Sequence, residues 1–404
     1  TKKLTWDGSA ETNGSFNITG GSGADSITSG LGNDSISGGA DNDTLVFGAE
    51  LTSSDTVDGG SGTGDILTFT DGNSASDDLN RVTNVETITL GNADTNVTSV
   101  DALVASGATL TVDGSGLTGT KKLTWDGSAE TNGSFNITGG ADADTIIGGT
   151  GGDSISGSGG ADSITSGSGN DSISGGASND TLVFGVNLTS SDTVDGGSGT
   201  GDILTFTDGN SASDDLNRVT NVETITLGNA DTNVTSVDAL VASGATLTVD
   251  GSGLTGTKKL TWDGSAETNG SFNITGGAAA DTITGGSGAD TITGGSGADT
   301  ITGGAGADAI SSGNNDDVLQ YSSGSELSID TQVDGGSGTD TLLFTIAGVT
   351  DVDDSDFVKV TNVEAIVFGN GNNVATFGTN AASAVGSLSI TGGSGNNTFD
   401  VSNL

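Results

Sequence analysis

The sequence predicts an all-β solenoid, a chain wound into stacked coils, and three observations carry this prediction. A nonapeptide pattern places an Asp every nine residues with an apolar residue two positions later, as in Asp25 with Ile27 and Asp34 with Ile36. Longer segments recur in the same order along the chain, as they do in repeat architectures. The Gly content, 72 of 404 residues, suits a fold that turns every few residues.

The longer repeat divides the chain into three modules. The segment TKKLTW begins at Thr1 and begins again at Thr120 and Thr257, in steps of 119 and 137 residues. The predicted modules are residues 1–119, 120–256 and 257–404. The second module nearly copies the first and has 18 more residues in one Gly/Asp-rich tract. Eighteen residues are two nonapeptides, which add a whole coil, whereas one nonapeptide would move every later strand to the opposite sheet.

Each nonapeptide predicts one turn and one short strand, so two of them make a coil. Adjacent Gly residues allow positive φ angles and inward-pointing carbonyls, the Asp adds a carboxylate, and the apolar residue of the strand points into the core. These hard oxygen donors suit Ca²⁺. A flexible Gly/Ser linker is the alternative, but a linker does not hold Asp and Ile in register over five units. The predicted calcium ligands are Asp25, Asp34, Asp43, Asp65, Asp144, Asp153, Asp162, Asp171, Asp180, Asp202, Asp281, Asp290, Asp299, Asp308, Asp317 and Asp340.

These nonapeptides match GGxGxDxUx and resemble the calcium-binding repeats of the RTX family. The resemblance implies a right-handed parallel β-roll in which each Ca²⁺ ion lies between stacked turns, bound by Asp residues of neighbouring coils. The segment VTNVETI at residues 82–88, which recurs at 219–225 and in related form at 360–366, is similar to a strand that accompanies such repeats in bacterial surface-layer proteins of the Caulobacter type. Within it, Glu86, Glu223 and Glu364 either bind an ion or are solvated.

Other segments of the chain predict wider coils and two short helical insertions. The insertions are expected at residues 76–82 and 99–104, and they recur at 213–219 and 236–241. The third module ends in GGSGNNTFD, with Asn397 at the Asp position, which we interpret as the start of another calcium run.

One basic and aromatic cluster recurs in every module. It consists of a Lys pair with a Trp three residues later, as in Lys121, Lys122 and Trp125. Such a cluster either stacks on a sugar or docks a neighbouring protomer, or else the Trp fills a wide coil while the Lys residues face acidic turns of the same chain. We favour the interpretation in which the Trp fills a wide coil and the Lys residues face acidic turns of the same chain.

Composition excludes several classes of function. The chain has no His and no Cys, so it has no imidazole or thiol for a triad, a zinc site or a disulfide framework. A net charge of -44 argues against a nucleic-acid partner and offers disorder as an alternative to the repeat fold. No apolar run is long enough for a membrane span. We expect no enzymatic activity, because asymmetric catalytic groups are missing.

Together these patterns predict a calcium-dependent, self-assembling structural protein at the cell surface, a surface-layer or filament building block exported by type I secretion. The expected partner is another copy of the chain, with cell-surface polysaccharide as a further candidate. The alternative is the repeat region of an RTX adhesin, cytolysin or secreted enzyme, in which an adjoining domain carries the activity.

Overall fold

The computed structural model describes residues 2–48, 51–72, 78–185, 188–207, 216–384 and 389–403. The chain is an all-β parallel solenoid that divides into two compact units, residues 1–204 and 205–404. This confirms the predicted fold class. The division into units does not follow the repeats, and the three modules stay a prediction.

The first unit consists of short strands separated by turns. Its strands are β1 (Thr5–Asp7), β2 (Asn17–Gly21), β3 (Ser26–Thr28), β4 (Ser35–Ala40), β5 (Thr44–Phe47), β6 (Thr56–Ser61), β7 (Ile66–Phe69), β8 (Val82–Thr83), β9 (Thr87–Thr89), β10 (Thr95–Thr98), β11 (Thr109–Asp113), β12 (Leu123–Asp126), β13 (Ser134–Thr138), β14 (Thr145–Ile147), β15 (Ser154–Ser156), β16 (Ser163–Thr165), β17 (Ser172–Ala177), β18 (Thr181–Phe184) and β19 (Thr193–Ser198). The chain passes from the first unit to the second within β20 (Ile203–Phe206).

The second unit continues the same alternation. Its strands are β21 (Val219–Thr220), β22 (Thr224–Thr226), β23 (Thr232–Thr235), β24 (Thr246–Asp250), β25 (Leu260–Asp263), β26 (Ser271–Thr275), β27 (Thr282–Thr284), β28 (Thr291–Ser296), β29 (Thr300–Thr302), β30 (Ala309–Asn314), β31 (Val318–Tyr321), β32 (Gln332–Asp334), β33 (Thr341–Phe344), β34 (Val360–Thr361), β35 (Ala365–Phe368), β36 (Val374–Gly378), β37 (Ser389–Thr391) and β38 (Thr398–Asn403).

Each strand pairs with the strand two places along the chain, because two strands complete one coil. In the first unit one sheet contains the odd strands β1 to β19, and the facing strands form the sheets β2-β4-β6-β8 and β10-β12-β14-β16-β18. The register sets identical positions above one another, so that Ile155 pairs with Ile173 and Ile146 with Ile164. All four side chains are at most 2 % exposed. The core is therefore a stack of apolar side chains between the two faces.

Equivalent segments of the first two modules lie in opposite sheets of the first unit. The strand that contains Trp6, β1, belongs to the long odd-numbered sheet, whereas the strand that contains Trp125, β12, belongs to the facing sheet. Eleven strand positions separate the two, an odd number, so the chain has advanced by five coils and a half. Surface features that recur between these modules consequently appear on alternate sides.

Helix is scarce in the described residues. It comprises α1 (Gly324–Ile329), α2 (Thr379–Ala384) and two 3-10 helices, Asp78–Arg81 and Asp354–Lys359. None of these helices is long and apolar enough to cross a membrane.

The two predicted helical insertions have different outcomes. The first contains the 3-10 helix Asp78–Arg81, but the described part of its second copy, residues 216–218, forms a turn. Residues 76–77 and 213–215 lie outside the described residues. The second prediction is wrong: residues 99–104 and 236–241 form turns. In the earlier copy a single bond from the Leu103 N–H to the Val100 carbonyl closes the turn, and both Leu103 and Val104 are buried. Tertiary burial of these two side chains holds the segment in a turn in spite of its local helical pattern.

We expect the alternation of buried and surface positions to govern stability. Ile164 is fully buried between Ile146 and Leu182 of the neighbouring strands, whereas the next side chain, Thr165, faces outward and is partly exposed. Ile164→Ala should lower the free energy of unfolding in millimolar calcium by about 2–5 kcal/mol, measured by urea denaturation. Thr165→Ala is the matched control and should cost less than about 1 kcal/mol. Equal losses from both variants would contradict the stacked core.

Candidate metal centre

A ladder of Asp side chains runs along each edge of the coils. In each ladder the Oδ1 atom of one Asp accepts the backbone N–H of the residue one coil earlier, and that residue is usually the previous Asp of the ladder. Thus Asp162 accepts from the N–H of Asp144 at 2.7 Å, and Asp180 accepts from the N–H of Asp162 at 2.8 Å. The facing edge repeats this arrangement with Asp153 and Asp171, whose bond measures 2.9 Å. We call these arrays the aspartate ladders.

All sixteen Asp residues predicted as ligands belong to the aspartate ladders. Each of the sixteen is at most 3 % exposed. The donor on the preceding coil and its acceptor are Leu4 to Asp25, Asp25 to Asp43, Asp43 to Asp65, Phe16 to Asp34, Leu123 to Asp144, Asp180 to Asp202, Phe135 to Asp153, Leu260 to Asp281, Asp281 to Asp299, Asp299 to Asp317, Asp317 to Asp340, Phe272 to Asp290 and Asp290 to Asp308. Their stacking along each edge was expected; the use of one oxygen of each carboxylate by the main chain was not.

Three further Asp residues take ladder positions that the nonapeptide pattern did not identify. Asp55, Asp192 and Asp330 accept the N–H groups of Asp34, Asp171 and Asp308 at 2.6, 2.6 and 3.0 Å, and all three are buried. They follow longer loops that have no GGxG turn. For the first two, the usable signal was the apolar residue two positions later, Val57 and Val194, which is the spacing found in the nonapeptides.

The Glu of the recurring VTNVETI segment extends a ladder. Glu86 accepts the N–H of Asp65 at 2.7 Å, and Glu364 accepts that of Asp340 at 2.7 Å. Neither of the two interpretations from the sequence described this role. The longer side chain reaches a main-chain donor that an Asp binds elsewhere in the ladder.

The second carboxylate oxygen, Oδ2, is unpaired in most of the ladder. Eleven of the sixteen predicted Asp residues have a buried Oδ2 atom without a hydrogen-bond partner: Asp25, Asp43, Asp65, Asp162, Asp171, Asp180, Asp202, Asp299, Asp308, Asp317 and Asp340. In Asp144, Asp153, Asp281 and Asp290 this atom accepts a Gly N–H, and in Asp34 it accepts the Ser29 hydroxyl. A buried acceptor without a donor is costly unless a cation or a proton takes the donor's place.

Main-chain carbonyl oxygens lie close to these unpaired atoms. A Cβ built on Gly20 would lie 2.3 Å from Oδ2 of Asp25 and 2.2 Å from the carbonyl oxygen of Gly38 on the next coil. A Cβ on Gly157 would lie 2.1 Å from Oδ2 of Asp162 and 2.5 Å from the Gly175 carbonyl oxygen. A side chain at Gly20 or Gly157 would therefore clash with both oxygens, and two oxygen acceptors lie close to each other there. Carboxylate and carbonyl oxygens are the ligand types that Ca²⁺ prefers, so the chemistry of the donor set fits this ion.

The last coils of the chain show what a metal-free ladder looks like. Asn373 and Asn397 take the Asp position there; Asn373 is fully buried, and its N–H bonds to Oδ1 of Asn397 at 3.2 Å. Each amide Nδ2 donates to a turn carbonyl, that of Gly369 or Gly393, at 2.8 Å. Here a donor meets the carbonyl, whereas in the Asp turns two acceptors meet. Asn397 thus belongs to a neutral version of the ladder, and the further calcium run that we predicted from it stays a prediction.

Burial shifts the acid–base properties of the ladders. It raises the pKa of Asp162, Asp299 and Asp308 to about 7, and that of Asp171 and Asp340 to about 6. The accepted backbone N–H lowers each pKa in part, and neighbouring carboxylates raise it. Desolvation is the largest cause in every case, because these carboxylates are cut off from water.

Three stretches of the chain contain RTX calcium-binding nonapeptide repeats. The RTX family, described as a calcium-binding nonapeptide repeat in four copies, matches residues 17–49, 138–173, 156–186, 273–301 and 284–319. These segments contain thirteen of the sixteen predicted ladder Asp residues, whereas Asp65, Asp202 and Asp340 lie outside them. A search of curated proteins finds no match to the chain. The sequence-based resemblance to RTX repeats is confirmed.

In the second and third modules the Trp of the Lys and Trp cluster is buried, while its Lys residues lie at the surface. Trp125 and Trp262 are at most 1 % exposed, and each packs edge-on against a Phe ring at 5.5 Å between ring centres. Lys121 lies 3.6 Å from Asp94, and Lys258 lies 3.9 Å from Asp231. The structure agrees with the interpretation we favoured. In the first module Trp6 packs in the same way on Phe16 but is 40 % exposed.

Replacing a ladder Asp by Asn should have opposite effects with and without calcium. Asp162→Asn keeps Oδ1 as an acceptor and removes a desolvated charge, as in the natural Asn373. In metal-free protein at pH 8 the variant should be more stable by about 2–4 kcal/mol, since one pKa unit corresponds to about 1.4 kcal/mol. In calcium it should be less stable than the parent and should bind fewer ions. Urea denaturation with chelator or calcium measures both effects; Asp71→Asn, at an exposed position, is the charge control.

The metal-free protein should lose stability as the pH rises. A folded-state pKa raised above the unfolded value means that the folded chain binds more protons. The stability gained by protonating Asp162, Asp299 and Asp308 is therefore fully present below about pH 4 and is lost as the pH rises to about 7. The urea midpoint of metal-free protein should fall from pH 5 to pH 8. In saturating calcium the trend should reverse, because protons compete with the ion. A metal-free midpoint that rises over this range would contradict the buried ladder.

Proposed function

We propose that calcium binding at the glycine-rich turns completes the fold of a secreted structural protein. The observation that carries this proposal is the set of eleven buried Oδ2 atoms without a hydrogen-bond partner, several of which, such as those of Asp25 and Asp162, lie beside turn carbonyls. The RTX match supports the choice of ion, since these repeats are a calcium-binding motif. In each turn the Asp carboxylate and the Gly carbonyls would hold the ion. The bound ion would supply the positive charge that two converging acceptors need.

The charge of the chain supports folding after export. At -44, mutual repulsion of carboxylates opposes a compact state where calcium is scarce. Each ion bound between coils would neutralise two charges and lower the cost of burying the ladders. RTX repeat proteins are typically secreted, and extracellular calcium is abundant, so we place the folded protein at the cell surface after type I secretion.

For the role of the folded protein we propose a non-catalytic building block of a surface layer or filament. Repetition supports this proposal, because near-identical modules present the same surface several times, and within the first unit the strands that contain Trp6 and Trp125 lie in facing sheets. A lattice or filament needs contacts of this multivalent kind. The proposed partner is a second copy of the chain, and cell-surface polysaccharide is a further candidate for attachment.

Calcium titration of the chain tests the folding proposal. Circular dichroism in chelator at pH 8 should show a partly unfolded chain, and addition of calcium should restore the full β spectrum with a midpoint of roughly 10⁻⁴–10⁻³ M. Magnesium at the same concentration is the control and should be a weak substitute, since it demands strict octahedral geometry. A β spectrum that is unchanged by chelator would refute the calcium-dependent fold.

Electron microscopy of the calcium-loaded protein tests the assembly proposal separately. Sheets or filaments should form in millimolar calcium and should dissolve in chelator. A protein that folds in calcium yet stays monomeric, by analytical ultracentrifugation, would overturn the building-block role. That outcome would favour the repeat region of an adhesin, cytolysin or secreted enzyme.

A further inference from the structure

A second kind of buried carboxylate lies outside the nonapeptide repeats. Glu130, in the turn between β12 and β13, is fully buried, and its Oε1 atom accepts the N–H groups of Asn132 and Gly133 at 2.9 and 2.7 Å. Its Oε2 atom is buried and has no hydrogen-bond partner. The third module repeats this arrangement with Glu267, whose Oε2 atom is also unpaired. The same feature therefore occurs once in each compact unit.

Two residues near this turn, Ser99 and Trp125, also have a buried polar atom without a partner. The hydroxyl of Ser99 is buried without a partner, and its N–H bonds to the carbonyl of Asp126 at 2.8 Å. The indole N–H of Trp125 is also buried without a partner. The N–H of Glu130 bonds to the carbonyl of Gly127 at 2.9 Å, and Gly127 directly follows Asp126, the partner of Ser99. Main-chain bonds thus connect three residues that have unsatisfied groups, Ser99, Trp125 and Glu130, to the segment 125–130. Ser236, Trp262 and Glu267 are connected in the same way in the second unit.

Turn oxygens of the next coil also border this segment. A Cβ on Gly127 would lie 3.2 Å from the carbonyl oxygen of Gly148. A Cβ on Gly149 would lie 3.1 Å from the Glu130 side chain, and the N–H of Gly149 bonds to the ladder residue Asp153 at 2.8 Å. The Glu side chain therefore packs on the first turn of the aspartate ladder. Phe135 takes the Asp position on this coil, so Glu130 is the carboxylate that the coil offers in its place.

No basic side chain accounts for this carboxylate in the part of the chain that is described. The two ion pairs found there join Lys121 to Asp94 and Lys258 to Asp231, which are other acids. A fully buried carboxyl group with one unpaired oxygen must either bind a cation or carry a proton. The neighbouring Ser hydroxyl and turn carbonyl are oxygen donors, the ligand type that hard divalent cations prefer.

We propose that Glu130 and Glu267 each bind an additional Ca²⁺ ion at the start of the second and third calcium runs, in a site distinct from the GGxGxD turns. The Oε2 atom of the Glu and the Oγ atom of Ser99 or Ser236 are the side-chain ligands. The indole N–H is a donor, so it pairs with a water molecule on the ion. The site rests on the proposed function only in the identity of the ion. It joins the wide coil that precedes a run to the first aspartate-ladder turn of that run.

Ion counting on the full chain tests this site. Equilibrium dialysis with radioactive calcium gives the number of ions per chain for the parent, for Glu130→Gln and for the double variant Glu130→Gln/Glu267→Gln. The single variant should lose one ion and the double variant two, while the β spectrum in calcium is retained. Asp71→Asn removes one exposed charge and should lose none. Unchanged counts in both Glu variants would overturn the site and would show that the carboxyls are protonated.

Terbium luminescence gives a second readout that does not depend on the total count. The chain has three Trp residues, and one lies five positions before each Glu of this type. Terbium in the proposed site should be excited through Trp125 or Trp262, and the double variant should lose at least half of this Trp-sensitised emission. Full emission in the double variant would contradict the site. A parent chain that binds neither calcium nor terbium would overturn the proposed function itself, so the two failures are distinguishable.

Discussion

The bond between an Asp carboxylate and the backbone N–H of the preceding coil is the interaction on which the solenoid depends. At each turn the chain leaves a main-chain donor that no strand pairs, and the Oδ1 atom of the next coil accepts it, as Asp162 does for Asp144. The same carboxylate therefore both holds two coils together and supplies the predicted metal ligand. The cost is a row of buried charges, because a group that reaches the backbone this way leaves its second oxygen away from water.

The natural Asn residues show why the chain keeps these charges. Asn373 satisfies the same N–H and also pairs its amide with a turn carbonyl, so a neutral ladder forms without an ion. An Asp cannot donate a hydrogen bond to the turn carbonyl as Asn373 does. The stability of an Asp ladder therefore depends on what neutralises the carboxylate charge. Protons do so in acid, and we propose that calcium does so near neutral pH. On this proposal, a coil with Asn at the ladder position folds without an ion, whereas a coil with Asp folds only when a proton or calcium neutralises the carboxylate.

Much of this arrangement follows from the sequence, and the parts that do not have physical reasons. The period of nine, the apolar stack and the sixteen Asp positions are local in the chain, so the pattern predicts them. The nonapeptide pattern did not identify Asp55 and Asp192 as ladder residues, because the loops before them lack the paired glycines. Their spacing to the next apolar residue is nevertheless the same. Residues 99–104 form turns in place of the predicted helix because tertiary burial of both Leu103 and Val104 outweighs local propensity.

The least predictable feature is the buried Glu at the start of the calcium runs. In the sequence, Glu130 lies in a polar segment, SAETNG, that reads as an exposed loop. Its burial depends on contacts from Gly127, Gly149 and Val104, which lie on three different coils. The counterpart in the first module, Glu11, makes the same local bonds to Asn13 and Gly14 but is only half-buried. Local sequence therefore sets the turn, whereas residues of neighbouring coils set the burial of Glu130. Because its Oε2 atom is cut off from water and unpaired, this carboxyl group needs a cation or a proton, and the polar segment SAETNG gives no sign of that requirement.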